Sequence, residues 1–380
     1  MAAHLAVSFL YGNFNAIVHD GRQVVASWTP GAGDRSHGWH EGAFRFYLER
    51  ALEETGYEGD SVSLVVADVD MEHVHLSVPP VKPKLRLQLI GREVERRMDG
   101  GRMVWCHRYL GSHRARAVRP ADEEGTALQG SEHYLVHLWP QQKLRQYLQD
   151  MRAVDLTPRL ILPVASLMLQ WAEEQNGPDD VVCLVNHTPN GTTMLVRNPK
   201  GPEVLLRHLT PGAGTGRSRL VEEIQRSLLY ARQNLGIVAR QVLVGGEDLL
   251  DDVAARLIAE ASVQAAPEWN DASYPAVRVA NLPAASTESL VPASIRHERR
   301  NRIINRVGNY AVAALGVAAL VTVATVEWYL RHSEQGAEAS VSRYELRVAE
   351  QRRLEAEIES LEQRQRFLTA VVHRPPLATW

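Results

Sequence analysis

Residues 217–256 read RSRLVEEIQRSLLYARQNLGIVARQVLVGGEDLLDDVAAR. Positions 217–235 carry apolar side chains at the spacing of a long amphipathic helix. Positions 241–244 are an apolar run of the length of a buried strand. The pair Gly245-Gly246 turns the chain, and 247–260 is helical again. Helix, buried strand, glycine turn and helix are the alternation of helices laid against a mixed sheet.

The same pattern extends upstream. Strands are predicted at 133–139, 159–162, 181–186, 192–197 and 203–209. Pro140 and Pro163 each open a helix, where proline's missing N–H is tolerated. Gly177-Pro178 is a stop signal, and Asn190-Gly191 marks a hairpin turn. Near the start, 3–9, 13–18 and 23–28 read as strands, the last two flanking Asp20-Gly21. Residues 40–55 follow as a helix with Gly56 as its cap, then a buried strand at 62–67. Residues 111–130 are polar and predict a loop. Two halves, each with strands, hairpins and then helices, define an α/β (α+β) layout.

Downstream the chain changes character. Residues 307–326, VGNYAVAALGVAALVTVATV, contain no charge. A stretch of this length crosses the roughly 30 Å hydrocarbon core as one helix. Arg296, Arg299, Arg300, Arg302 and Arg306 crowd its approach, while Glu327, Arg331, Glu334 and Glu338 follow it. Basic excess marks the cytoplasmic flank, so the large N-terminal part is expected in the cytoplasm and the tail outside. The start MAAHLAVSF has no basic region ahead of its apolar residues, so the segment is expected to insert as an uncleaved anchor.

The net charge of −3 gives no general case for nucleic-acid binding. Cys106 and Cys183, the two cysteines, lack metal-ligand spacing and are expected as free thiols in a reducing compartment. His73 with His75, and His133 with His137, have pair spacing but no nearby third ligand, and read as ordinary strand histidines rather than a metal site.

The segments RLVEEIQRSLLYARQNLG and VLVGGEDLLDDVAARL resemble the end of an actin-like (ribonuclease H-like) fold, and specifically PilM, the cytoplasmic actin-like protein of type IV pilus machines. PQQKLRQYLQDMRAVDLTPRLILPVASLMLQW resembles PilM in its helix-strand-helix. VRVANLPAAS resembles the short cytoplasmic peptide of PilN, and the basic stretch, single span and coiled-coil-like tail follow in PilN order. GspL of type II secretion has the same plan in one polypeptide. The resemblance implies a two-lobed cytoplasmic domain at 1–262, a proline-containing linker at 263–295, a basic juxtamembrane segment at 296–306, the span at 307–326, a periplasmic helix at 338–372 and a short tail at 373–380.

It also implies two phosphate hairpins, each with an acidic residue. Here AVSFLYGNFNAIV places Ser8 near one such position, and LVNHTPNGTT places Asn186 at the other, with Thr188 where glycine would let phosphate approach. A neutral amide does not replace a carboxylate as metal ligand or base. GAGTG at 212–216 lacks the Lys-Ser/Thr ending of a P-loop. The expectation is no enzyme and no cofactor, with Gly245 and Gly246 the candidate contacts if ATP binds.

Asn281-Leu282-Pro283 is read in two ways: as part of a flexible linker, or as an extended peptide docked on the actin-like domain. Beyond the span, Val341, Tyr344, Val348, Leu354, Ile358, Leu361 and Leu368 recur at near-heptad spacing. Tyr344, Val348, Leu354, Ile358 and Leu361 are the expected self-association residues. Pro375-Pro376 ends the helix. The reading is a non-enzymatic inner-membrane scaffold of a type IV pilus or type II secretion platform, bridging platform or motor ATPase partners and periplasmic components as a homo- or hetero-oligomer. The alternative is a membrane-tethered actin-like nucleotidase.

Overall fold

A computed structural model describes residues 3–31, 42–97, 102–113, 130–175, 181–209, 217–257, 261–283 and 286–372. The predicted features at 177–178, 212–216 and 375–376 lie outside these, as does most of the loop expected at 111–130. The chain divides into two units, Met1–Arg296 and His297–Trp380.

The first unit opens with β1 (His4–Leu10), β2 (Asn13–His19) and β3 (Val24–Trp28), an antiparallel ladder. Tyr11 and Gly12 turn the first hairpin with φ of 50° and 85°, the left-handed pair a two-residue hairpin needs. At the second hairpin, Asp20 Oδ1 accepts from the Arg22 and Gln23 N–H groups at 2.8 and 2.9 Å, so Asp20-Gly21 begins a longer turn.

Helix α1 (Ala43–Thr55) ends where Gly56 takes φ 62° and donates its N–H to Leu52 O. Then come β4 (Ser61–Ala67), β5 (Glu72–Val78), α2 (Pro83–Arg97), β6 (Met103–His113), β7 (Ser131–Pro140), α3 (Gln141–Ala153), β8 (Thr157–Pro163) and α4 (Val164–Gln175). The order of the first sheet is β3-β2-β1-β4-β8, with β4 and β8 parallel. Strands β5, β7 and β6 make a separate antiparallel sheet inserted between β4 and β8.

The second lobe holds β9 (Val182–Thr188), β10 (Gly191–Arg197), β11 (Val204–Leu209), α5 (Arg217–Leu235), β12 (Gln241–Gly245), α6 (Glu247–Arg256) and β13 (Ser262–Ala265). Its sheet runs β11-β10-β9-β12-β13, with β12 parallel to both β9 and β13. Two sheets thus repeat one topology: a three-strand antiparallel meander, then two parallel strands beside the first. This repeat is the actin-like arrangement expected from the sequence. Thr188 pairs with Gly191, which leaves Pro189 and Asn190 as the turn, one residue earlier than Asn190-Gly191 suggests.

Each five-stranded sheet buries both faces, so its central strands are nearly continuous apolar runs. One face of the first sheet packs on α1 and α3 through Phe44, Leu48, Leu144 and Met151. The other packs on α4 through Leu167 and Met168. The second sheet closes on α5 and α6 with Ile224, Leu249 and Val253. The inserted sheet packs on α2 through Ile90 and Val94.

The stretch 263–295 differs from the linker reading. It carries the end of β13, then α7 (Pro267–Asn270) and α8 (Tyr274–Ala280). Trp269, Ala276, Val279, Leu290, Val291 and Ile295 in it are buried. The reason lies in the prolines: Pro267 and Pro275 sit in the first turns of α7 and α8, where no intrahelical bond is lost. Proline here starts helices and does not signal an unstructured tether.

Helix α9 (Ala293–Val372) begins at the end of the first unit and continues through the second as 80 residues. The separate segments predicted at 296–306, 307–326 and 338–372 are therefore parts of one uninterrupted helix. Its apolar window is long enough to cross a membrane and none of it is buried.

Candidate functional site

Between the two lobes lies a cleft of about 730 Å³. Its walls include Asn13 and Asn15 of the first hairpin, Asn186 and Thr188 of the second, Gly246 and Asn270. Parallel strands put their ends at this seam, which is where α/β folds place ligands.

The Gly245-Gly246 pair is fixed by packing. A Cβ on Gly245 would stand 2.5 Å from the Trp269 Cβ, and Gly246 has φ 107°. The Gly246 N–H donates to Asn270 Oδ1 at 2.8 Å. Gly246 lines the cleft, whereas Gly245 serves the close approach of α7.

The fold class implies a magnesium nucleotide in such a cleft, and the residues present do not fit one. Ser8 is fully buried, and its hydroxyl donates to Ala272 O at 3.4 Å. Asn186 is also buried, and its Nδ2 has no hydrogen-bond partner among the described residues. Neither offers negative charge. Asp248 is exposed and pairs with Arg217 at 3.3 Å, and Asp271 accepts from Ser273. Asp68, fully buried after β4, is held by Lys143 Nζ at 2.9 Å and Trp139 Nε1 at 3.3 Å.

Tyr11 closes the space between the hairpins. Its ring lies over Gly191, where an added Cβ would come within 2.4 Å. Its hydroxyl meets Thr193 Oγ1 at 2.7 Å, and also Nδ1 of His208. The two turns that would clamp a phosphate are joined by a tyrosine side chain. Burial raises the Tyr11 hydroxyl's pKa, so it remains a neutral donor.

Behind Tyr11 runs a relay that sequence spacing did not reveal. His208 Nε2 is 2.6 Å from His73 Nε2, His73 Nδ1 is 2.7 Å from His137 Nδ1, and His137 Nε2 is 3.3 Å from Ser166 Oγ. His73 uses a different nitrogen toward each neighbour, so the rings form a chain and do not converge on a point. No metal-holding group of three or more such side chains occurs among the described residues. Each neutral imidazole supplies one donor and one acceptor, as the chain requires. Burial is the main cause that lowers all three pKa values, to about 3 for His137 and about 4 for His208.

The peptide 281–283 is only partly docked. Asn281 is exposed at the C-cap of α8, donating its amide to Val277 O, and Pro283 is exposed. Leu282 packs against the apolar cluster that residues of both lobes share. Its carbonyl accepts from Arg159, which also reaches Ala280 O at 3.3 Å. The deeper anchor lies farther along. Leu290 N–H donates to Ile161 O at 2.8 Å, and Ile161 N–H donates to Ser289 Oγ at 3.3 Å. The segment thus hydrogen-bonds to β8, the outer strand of the first sheet. Arg108 of β6 donates to Glu288 at 2.8 Å and to Glu173 at 2.5 Å.

Arg296, Arg299, Arg300, Arg302 and Arg306 all fall in the first turns of α9, with Arg296 and Arg300 exposed. Tyr344, Leu354, Ile358 and Leu361 are exposed on the same helix, and Val348 is half-buried. Cys106 and Cys183 are buried free thiols whose pKa values burial raises.

No family model and no curated protein matches the chain. Among solved structures, a chain of the PilM-PilN type IV pilus biogenesis complex aligns at TM-score 0.51 and 15% identity, covering 74% of this chain and 95% of that one. Weaker likenesses are to the cytoplasmic domain of EpsL, an inner-membrane component of the Vibrio cholerae type II secretion system (TM-score 0.45, 12% identity, 77% and 100% covered), and to a Bacteroides thetaiotaomicron protein with an actin-like ATPase fold (TM-score 0.43, 8% identity, 72% and 95% covered). The class defined by topology and likeness is the actin-like fold. This chain combines an actin-like domain, similar in fold to a chain of the pilus complex, with one helix, among the described residues, long and apolar enough to cross a membrane.

Proposed function

We propose that this chain is a non-enzymatic inner-membrane scaffold of a type IV pilus or type II secretion assembly platform. The observation that carries the proposal is the side-chain bridge across the cleft: Tyr11 occupies the junction of the two hairpins, which hold the neutral Ser8 and Asn186 near the positions where the resemblance implies acidic residues. The actin-like domain then serves as a rigid body for a cytoplasmic platform or motor partner. The arginines before the span favour a cytoplasmic domain and an external tail. An unbroken α9 couples that body to the tail, which pairs with a second helix outside. The likeness in fold to a pilus biogenesis component supports the same role.

The cleft's volume and the Gly246–Asn270 turn favour a second reading, a tethered nucleotide-binding protein. Calorimetry of the detergent-solubilised full chain with Mg-ATP separates the two. No binding and no turnover is the expected result; micromolar affinity with phosphate release would overturn the scaffold reading. Capture of platform components from solubilised membranes is its positive test.

A further inference from the structure

The cleft that fits no magnesium nucleotide is lined by two buried donors without an acceptor. Along β9 the side chains alternate. Cys183 and Val185 join the cluster with α5 and α6, whereas Val182 and Leu184 join the cluster shared by both lobes. Asn186 continues the second set, which puts a carboxamide on the inter-lobe face near the strand's end. It is 4% exposed, and its Nδ2 has no partner among the described residues. Trp269, 3% exposed and lining the same cleft, has an unpartnered Nε1. Folded proteins leave few such groups unpaired, because each one costs its desolvation.

The chemistry of these groups selects a ligand. Both are donors, so an ammonium or other donor-only cation satisfies neither. An anion meets Asp248 and Asp271 in the same wall, and the one guanidinium there, Arg217, already pairs with Asp248 at 3.3 Å. A neutral molecule rich in acceptor oxygens remains. Hydroxyls also donate, and the cleft can accept. Asn13 spends its Nδ2 on Leu10 O at 3.0 Å and keeps its oxygen. His187, which burial holds neutral, meets Thr192 Oγ1 through Nδ1 at 2.8 Å and keeps Nε2 for either role. Phe14 and Tyr47 supply apolar wall. We infer that the cleft takes an uncharged, polyhydroxylated small molecule of sugar or nucleoside size, without a metal ion, whose oxygens accept from Asn186 and Trp269. The inference goes beyond the scaffold reading: such a ligand touches Asn13 of one lobe and Asn186 of the other, and ties them together without being turned over.

The test uses the full chain in amine-oxide micelles, since a maltoside headgroup would compete. The probes are D-glucose and adenosine, with inorganic phosphate and Mg-ATP as charged counterparts. Calorimetry is expected to detect one neutral probe, D-glucose marking a free sugar and adenosine a nucleoside, and neither charged one. Asn186→Leu removes the unpaired donor at similar volume. It is expected to weaken that binding at least about fivefold, while the ligand-free variant unfolds at the native temperature or higher. Trp269→Phe is expected to weaken binding likewise. Binding of neither neutral probe, or equal affinity of the native chain and Asn186→Leu, would overturn the inference and leave the scaffold reading standing. A ligand-free Asn186→Leu that unfolds well below the native chain would overturn it too, by showing that Asn186 is already partnered. Mg-ATP held more tightly than adenosine would overturn it in favour of the nucleotide reading.

Discussion

The Tyr11 hydroxyl lies 2.7 Å from Thr193 Oγ1, joining the first hairpin of one lobe to β10 of the other. The two residues are 182 positions apart. In an actin-like body the lobes meet at this seam, and here a buried aromatic side chain bridges it.

Removing the bridge separates its parts. Tyr11→Phe leaves Thr193 Oγ1 and His208 Nδ1 with only their own contact at 3.4 Å, a loss of about 1–3 kcal/mol. Tyr11→Ala adds a cavity and is expected to cost about 3–5 kcal/mol. Thermal unfolding of the solubilised chain measures both. Equal stability of Tyr11→Phe and the native protein would show that the hydroxyl bridge is absent in solution.

The histidine relay makes the fold acid-sensitive. The folded-state pKa values of His73, His137 and His208 lie below the unfolded value, so the unfolded chain binds protons first as pH falls. The three contribute no penalty above about pH 6.5, and stability declines from there down to about pH 4 for His208 and about pH 3 for His137. The slope per histidine approaches about 1.4 kcal/mol per pH unit. Denaturation midpoints at pH 7.5 and 5 are expected to differ. His73→Gln should flatten the profile, and an unchanged profile would remove the relay as its cause.

The anchor ahead of the span depends on Glu288. Its carboxylate and the Arg108 guanidinium are both largely buried, with side chains 12% exposed. Glu288→Ala leaves Arg108 with Glu173 alone, and removing one partner of a buried pair costs about 3–5 kcal/mol. The segment 286–292 is then expected to gain protease sensitivity while the second lobe keeps its amide protection. Leu282→Asp, by contrast, should loosen only the turn after α8, since Leu282 is half-buried. Mass-spectrometric mapping of cleavage distinguishes the two sites.

Gly246→Ala tests whether the glycine pair is structural. At φ 107° a Cβ is strained and would approach His187 Cβ at 3.1 Å, a cost of about 1–3 kcal/mol. Gly245→Ala must displace Trp269 and is expected to be at least as damaging. A neutral result at Gly245 would contradict the close packing of α7.

Much of the architecture was legible because it is written in local pattern. Both hairpin regions, the helix closed by Gly56, the Pro140 and Pro163 starts and the Arg217–Leu235 helix appear where spacing and turn residues placed them. Helix α2 and strand β6 were not assigned. In α2 only Ile90 and Val94 are buried, too few to give a periodic signal. The linker reading of 263–295 failed because proline content is ambiguous: the same residue breaks a helix inside and starts one at its edge.

The sequence by itself determined most element types, the uncharged stretch, its basic approach and the neutral side chains of Ser8 and Asn186, since each is read from residues within a few turns of chain. Only the tertiary structure decided that Tyr11 fills the hairpin junction, that His73, His137 and His208 meet, and that Glu288 to Val291 anchor beside β8. Those contacts join residues from 64 to 182 positions apart. Burial and hydrogen-bond geometry create them when sheets and helices pack, and no periodicity along the chain encodes a pair so distant.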